Sequence, residues 1–193
     1  MKKWLLIIGL PLCVAADAID DINHHLNQIQ SLKADVCQSF GDGRQIKGTL
    51  TLKRPGHIKL TYQKPAPYFF VCDGKACVYQ DALMERPLFM APERLPLSFL
   101  MDHTTDLRQH FLIKKLTTEP TGHRLEVATK DQMLHLCLTF STKGQLTGWQ
   151  TTDPEGNIVH VTLDHIKLNP VINDGVFAFQ QMPRWLQKNR RRV

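Results

Sequence analysis

Leu50-Thr51-Leu52-Lys53-Arg54-Pro55-Gly56-His57-Ile58-Lys59-Leu60-Thr61-Tyr62, residues 50–62, decides how the rest of the chain is read. Leu50 and Leu52 alternate with Thr49, Thr51 and Lys53, and Ile58, Leu60 and Tyr62 alternate with His57, Lys59 and Thr61. A period of two gives each strand one apolar row, and Arg54-Pro55-Gly56 turns the first strand back beside the second. Arg54 is the odd residue. Two positions beyond Leu52 and four beyond Leu50, it points to the apolar face if the strand persists and outward with Pro55 if the strand ends at Lys53. On the apolar face a guanidinium needs hydrogen-bond partners, and the nearest candidates are backbone carbonyls at the end of a covering helix.

Upstream, Ile19, Ile22, Leu26 and Ile29 recur at three and four between Ile19 and Leu32, with Asp20 and Asp21 at the positive end of the helix dipole. That predicts an amphipathic helix with one apolar stripe. Downstream, the period of two continues through a hairpin around Asp73-Gly74, with Tyr68–Val71 on one side and Val78–Tyr79 on the other. It goes on through Leu134, Leu136, Leu138 and Phe140, then Leu146–Thr152, Ile158–Asp164 and a last short strand Val176–Phe179. Short turns at Lys143-Gly144 and Asp153-Pro154-Glu155-Gly156 join them, as in an antiparallel meander. Between strands, Ala91–Arg108 carries Pro92, Pro96, Leu97, Phe99, Leu100 and Met101, a pattern that fits a short helix. The fold class is therefore α+β, mainly β: one large antiparallel sheet with at least two helices over one face.

The ends set the compartment. Lys2 and Lys3, the apolar run Trp4–Val14 and Ala16-Asp17-Ala18 read as a cleavable secretory signal over residues 1–18, leaving a single domain from Ile19 to Val193. The apolar run is about half the roughly 20 residues of a membrane span, and Leu12 before Cys13 does not suit a lipid-modified cysteine. Of the net charge of +6, Lys188, Arg190, Arg191 and Arg192 carry most, so the excess is a basic tail at 188–193 and no nucleic-acid groove is expected. That tail suits an anionic lipid surface or a solvated end. Export leaves Cys37, Cys72, Cys77 and Cys137 in an oxidising compartment. Cys72 and Cys77 flank the Asp73–Ala76 turn and should bridge across the hairpin; Cys37 and Cys137 are then either a second bridge or buried thiols.

No catalytic residue is predicted: none of the serines lies in a Gly-x-Ser-x-Gly elbow, and no Ser, His and Asp set has a specific spacing. The histidines lack metal-ligand spacing, so no metal is expected, and no Gly-rich loop suggests a cofactor.

Several blocks in order carry a family resemblance: Leu52-Lys53-Arg54-Pro55-Gly56, Tyr62-Gln63-Lys64-Pro65, Val71-Cys72-Asp73-Gly74-Lys75, Pro96-Leu97-Ser98-Phe99-Leu100, Asp153-Pro154-Glu155-Gly156-Asn157, Asn169 and Phe177-Ala178-Phe179. Together they resemble the periplasmic outer-membrane lipoprotein carrier proteins, the LolA family, over essentially all of the mature chain. The resemblance implies an unclosed antiparallel β-barrel with a helical lid over an apolar cavity, no enzymatic activity, and Arg54 as the residue that hydrogen-bonds the lid and governs its opening. Leu50, Leu52, Ile58, Leu60, Tyr62, Phe69, Val71, Leu97, Phe99, Leu100, Leu136, Leu138 and Phe140 are the expected lining of an acyl-chain cavity, and Ile22, Leu26 and Ile29 the inward stripe of the lid helix. Expected partners are acylated lipoproteins as cargo, an inner-membrane ATP-driven lipoprotein-releasing transporter as donor, and an outer-membrane acceptor lipoprotein or the outer membrane itself, the carrier being a monomer. Two departures from the family stand out. Ile58 occupies a position that is often aromatic, and Met182-Pro183-Arg184-Trp185 lacks the usual Gly. The alternative keeps the fold and changes the role, to a periplasmic module that senses lipid or lipoprotein.

Overall fold

Helix α1 (Leu12–Asn27) and the strands β1 (Ser31–Phe40), β2 (Gln45–Lys53), β3 (His57–Tyr62), β4 (Phe69–Asp73), β5 (Cys77–Gln80) and β6 (Leu88–Met90) form the first half of the computed structural model. The second half runs through the short helix α2 (Leu107–His110), then β7 (Phe111–Glu119), β8 (Gly122–Thr129), β9 (His135–Ser141), β10 (Leu146–Thr152) and β11 (Ile158–Leu168). The structure describes residues 12–63, 69–80, 86–95, 97–152, 156 and 158–179, with side chains from 18 onward. Most of the signal segment, the Lys64-Pro65 step, Pro96, most of the Asp153–Asn157 turn, Met182–Trp185 and the basic tail lie outside the described residues.

All eleven strands join one antiparallel sheet in the order β6-β5-β4-β3-β2-β1-β11-β10-β9-β8-β7. Each half is a meander of neighbouring hairpins, and β1 pairing with β11 welds them. The ends β6 and β7 do not pair, so the sheet is an unclosed barrel wall. One face carries the main core: Ile19, Ile22 and Leu26 of α1 and Ile29 just beyond it pack on Leu50, Leu52, Leu136 and Leu138 among others. The other face carries a smaller cluster of Phe69, Val71, Val78 and Phe177.

At the β2–β3 turn, Gly56 has φ 77° and a Cβ there would stand 2.7 Å from the Cα of Gly74. Only glycine permits that approach of two turns with this backbone. The abutting β4–β5 turn is closed by a Cys72–Cys77 disulfide.

Three expectations are corrected, and one left open is decided. The helix ends at Asn27, so Ile29, expected in the stripe of the lid helix, is buried from the link that follows it, and Leu32 belongs to β1. Ala91–Arg108 is not one helix: it holds 3-10 turns at Pro92–Arg94, with Pro92 at the start, and Ser98–Leu100 before α2, and Pro96 in the sequence between them has no N–H to continue a helix. Val176–Phe179 is not a strand either, because Asp174–Phe177 winds into a 3-10 turn. Cys37 and Cys137 are free, half-buried thiols. They sit on β1 and β9, with β11 and β10 between them. Three strand spacings are about 14 Å, far beyond the roughly 7 Å limit for a bridge.

Candidate functional site

Beneath the segment that joins β6 to α2, the inner face of the sheet is incompletely filled. An apolar hollow of about 240 Å³ is lined by Leu50, Ile58, Leu60 and Phe70 of β2–β4, by Leu95, Leu97, Leu100 and Met101 of the covering segment, and by Trp149 and Thr151 of β10. Nearly all of this wall is hydrocarbon, so it attracts apolar matter by area and offers almost no polar surface to orient it. Five expected residues, Leu50, Ile58, Leu60, Leu97 and Leu100, line the hollow. Leu52, Phe99, Leu136, Leu138 and Phe140 are buried in the same core, packed behind or beside it. Tyr62 is half-buried at the margin, its hydroxyl donating to Gln38 Oε1 at 2.5 Å.

Phe69 and Val71 are corrected, because they face the opposite side of the sheet and pack under Phe177. The register explains it: Ile58 pairs with Cys72 and Leu60 with Phe70, so Phe70 and Cys72 share the inner face and their neighbours do not. The sequence Phe69-Phe70-Val71-Cys72 is apolar on both faces and gives no parity of its own. Trp149 was missed for a related reason. A register shift between Leu146 and Gly148 resets the alternation, bringing Leu146 and Trp149 to one face.

Arg54 is buried, at 6% exposure. The strand does end at Lys53, yet the side chain turns inward rather than out with Pro55. Its Nε donates to Leu100 O at 2.9 Å, Nη1 to Leu26 O at 2.9 Å, and Nη2 to Thr105 Oγ1 at 3.0 Å and Phe99 O at 3.5 Å. Leu26 lies in the last turn of α1, where carbonyls have no helical partner, so one guanidinium ties the β2–β3 turn to both covering elements. Burial pushes the guanidinium below its ordinary pKa, and the carboxylate of Asp102 partly offsets this.

Around Arg54 the two parts of the cover are also bonded to each other. Asn27 accepts from Thr105 N at 2.7 Å and donates to Thr105 O at 2.8 Å. Asn23 accepts from Leu107 N and donates to Asp106 Oδ1, both at 3.0 Å. Thr105 Oγ1 donates to Phe99 O at 2.6 Å while accepting from Arg54, and Gly56 N donates to Met101 O at 2.8 Å. Sequence reasoning missed Asn23, Asn27 and Thr105. The only signal is their position: Asn23 and Asn27, four apart, flank the apolar stripe of α1 on one side.

On the opposite face a second segment is strapped down. Asn169 Oδ1 accepts from Gln30 N at 2.8 Å, and its Nδ2 donates to Gln28 O at 3.0 Å. Lys53 Nζ donates to Ile172 O at 3.1 Å and pairs with Asp174, holding that exposed carboxyl below the usual range. Among the described residues, no group of His, Cys, Asp and Glu is placed to hold a metal, and no helix is long and apolar enough to cross a membrane.

Comparison with known proteins agrees with this architecture. The family described as outer membrane lipoprotein carrier protein LolA matches residues 27–180. An outer-membrane lipoprotein carrier protein of Histophilus somni is 24% identical over 193 residues, covering 93% of each chain. One of Dechloromonas aromatica is 26% identical over 181 residues, covering 88% of this chain and 86% of its own. Among solved structures, MucB has a TM-score of 0.53 at 12% identity, with 90% of this chain and 66% of that one aligned, a likeness of fold alone.

Proposed function

The chain belongs to the LolA family of outer membrane lipoprotein carrier proteins, and from that membership we propose that it carries lipoproteins across the periplasm from the inner to the outer membrane. It is a binding protein of a non-enzymatic family. On this reading, a signal ending at Ala18 exports the chain, an inner-membrane ATP-driven transporter loads it, and an outer-membrane acceptor or the outer membrane unloads it.

Physical need supports the reading. Each acyl methylene exposed to water costs about 0.8 kcal/mol, so one long chain left bare costs on the order of 10 kcal/mol. The observation that carries the proposal is an apolar hollow whose cover is fastened by a buried cation. At about 240 Å³ the hollow is smaller than the roughly 300–1,000 Å³ of pockets that enclose drug-sized ligands. A lipoprotein's acyl chains therefore enter only when the cover moves, and moving it breaks the bonds of Arg54. Closing restores those bonds and hides the wall again, so cargo is held loosely enough to pass to a stronger acceptor.

The test is to mix purified protein with spheroplasts and to assay the supernatant. Carriage gives soluble, stoichiometric complexes of this chain with acylated protein. Hydrolysed lipid, or no released lipoprotein, would overturn the reading.

A further inference from the structure

A second and larger cleft opens beside the apolar hollow, and nothing in the carriage of acyl chains alone uses it. It measures about 600 Å³ and shares Leu95 with the hollow, so the two are neighbours across one side chain. One wall is Glu93, Arg94 and Ser98 of the covering segment, and the other is the β8–β9 turn from Thr129 to Leu134. Phe111 and Leu134 contribute apolar floor between them.

The far wall is fixed in place. Lys130 Nζ donates to Arg108 O at 2.9 Å and to Phe111 O at 3.1 Å, which pins the turn to the start of β7. Asp131 accepts from Thr129 Oγ1 at 2.5 Å and from Met133 N at 3.0 Å, which rigidifies the turn itself. On the near wall Glu93 and Arg94 are exposed; the backbone N–H of Arg94 donates to Ala91 O at 3.1 Å, and the two side chains make no hydrogen bond or ion pair with the described residues. Each wall carries one cation and one anion, Arg94 with Glu93 and Lys130 with Asp131, and His110 between them has its Nε2 2.7 Å from Asp102 Oδ2, so the cleft has no net preference for an anion. It offers both donors and acceptors over an apolar floor, which suits neutral amides and esters that carry both kinds of group.

We propose that this cleft receives the first residues of the cargo polypeptide, next to its acylated end, while the acyl chains lie in the hollow beyond Leu95. This rests on the carrier reading and deepens it: the hollow would recognise hydrocarbon, and the cleft would distinguish a lipoprotein from a plain lipid. A junction laid across Leu95 places each chemistry of the cargo against its like.

The probes are a synthetic diacylglyceryl-cysteinyl peptide and monopalmitoyl glycerol, the latter a neutral acyl ligand without peptide. Affinity is measured for the full mature chain and for the charge-swapped variant Glu93→Arg/Arg94→Glu, whose side chains are exposed and outside the core. The expected result is a lipopeptide affinity about tenfold weaker in the variant, with monopalmitoyl glycerol unchanged. A second variant, Ser98→Tyr, fills the cleft and should show the same selective loss. If both variants bind the lipopeptide as the parent does, the cleft assignment is overturned and the carrier reading stands. If both probes weaken equally, the effect is on the hollow and the assignment is again overturned. If the parent binds neither probe, the carrier reading itself falls, and the cleft with it.

Discussion

The sheet is covered on both faces, and the two covers differ in where their directed bonds fall and in what lies beneath them. Over the inner face, α1 and the 97–107 segment are joined to each other and to the β2–β3 turn by polar bonds around Arg54, and beneath them the apolar packing leaves a void. Over the outer face, the 169–179 segment is strapped by Asn169 and Lys53 at its margin, but it seals a cluster in which Phe69, Val71, Val78 and Phe177 are all fully buried. Apolar packing falls away steeply and recovers only when every atom is back in place, whereas a few directed bonds can be exchanged for water one at a time. A cover that must open is therefore better held by bonds over a void, and a cover that must stay is better held by packing.

The strongest challenge to this contrast is Phe177→Ala. Removing a fully buried aromatic leaves a cavity on the outer face and should cost about 3–5 kcal/mol of stability in a denaturant titration. Lipopeptide affinity of the folded variant should not change, because nothing from that cluster reaches the hollow. Equal loss of affinity would mean that the two covers are one mechanical unit, and the contrast would be false.

Arg54→Leu comes next. It removes the guanidinium donors from Leu100 O, Thr105 Oγ1 and Leu26 O, of which Leu26 O keeps Ile29 N at 3.2 Å, a loss of about 1–3 kcal/mol. Its distinctive consequence is directional: with no bond to regain on closing, the variant should load cargo and transfer it poorly to the acceptor. Hydrogen exchange should quicken in residues 97–107 and stay slow in 172–177. Unimpaired transfer would remove Arg54 from the release step.

Asn27→Ala sharpens the same point within the inner cover. It breaks two bonds to the backbone of Thr105 and should cost about 1–2 kcal/mol. Because Thr105 also accepts from Arg54, the double variant should lose less than the two single losses together. Strict additivity would show that α1 and the 97–107 segment are fastened independently.

The contrast also explains which features could be read from sequence. Packing leaves a periodic trace, so α1's stripe and the alternations of β2, β3 and β9 were legible, as was the Cys72–Cys77 bridge across a four-residue turn. Where the backbone slips, the trace is lost. In β7 a register shift between Ile113 and Lys115 sets Leu112-Ile113 and Lys114-Lys115 side by side, and neither β7 nor β8 was anticipated. Directed bonds leave almost no trace. Arg54 stood out only because a charge followed two leucines, and the premise that would have buried it, a continuing strand, does not hold. Its partners are mostly main-chain carbonyls, which no residue type announces. Phe177 was noticed as part of an apolar run but misplaced, since a side chain that packs into a cluster does not need a paired strand beneath it.

The smallest expected effect tests the outer cover from its polar side. Lys59 Nζ donates to Val176 O at 3.0 Å and lies 5.7 Å from the centre of the Phe69 ring. Those contacts favour the ammonium, while burial lowers its pKa below the ordinary 10.5. If burial dominates, the folded chain binds fewer protons than the unfolded chain between the depressed value and 10.5. Stability should then rise with pH across that window, its cost being fully present below the folded pKa and relieved above the unfolded one. Lys59→Met abolishes the titration and should change neutral-pH stability by no more than about 1 kcal/mol. Stability of the parent minus that of the variant, from denaturant titrations at rising pH, should therefore climb toward the alkaline end. A flat or falling difference would mean that the carbonyl and the ring hold the charge more strongly than burial repels it. The outer cover would then be held by a directed bond over its core as well as by those of Asn169 and Lys53 at its margin, and the distinction between the faces would rest on the void alone.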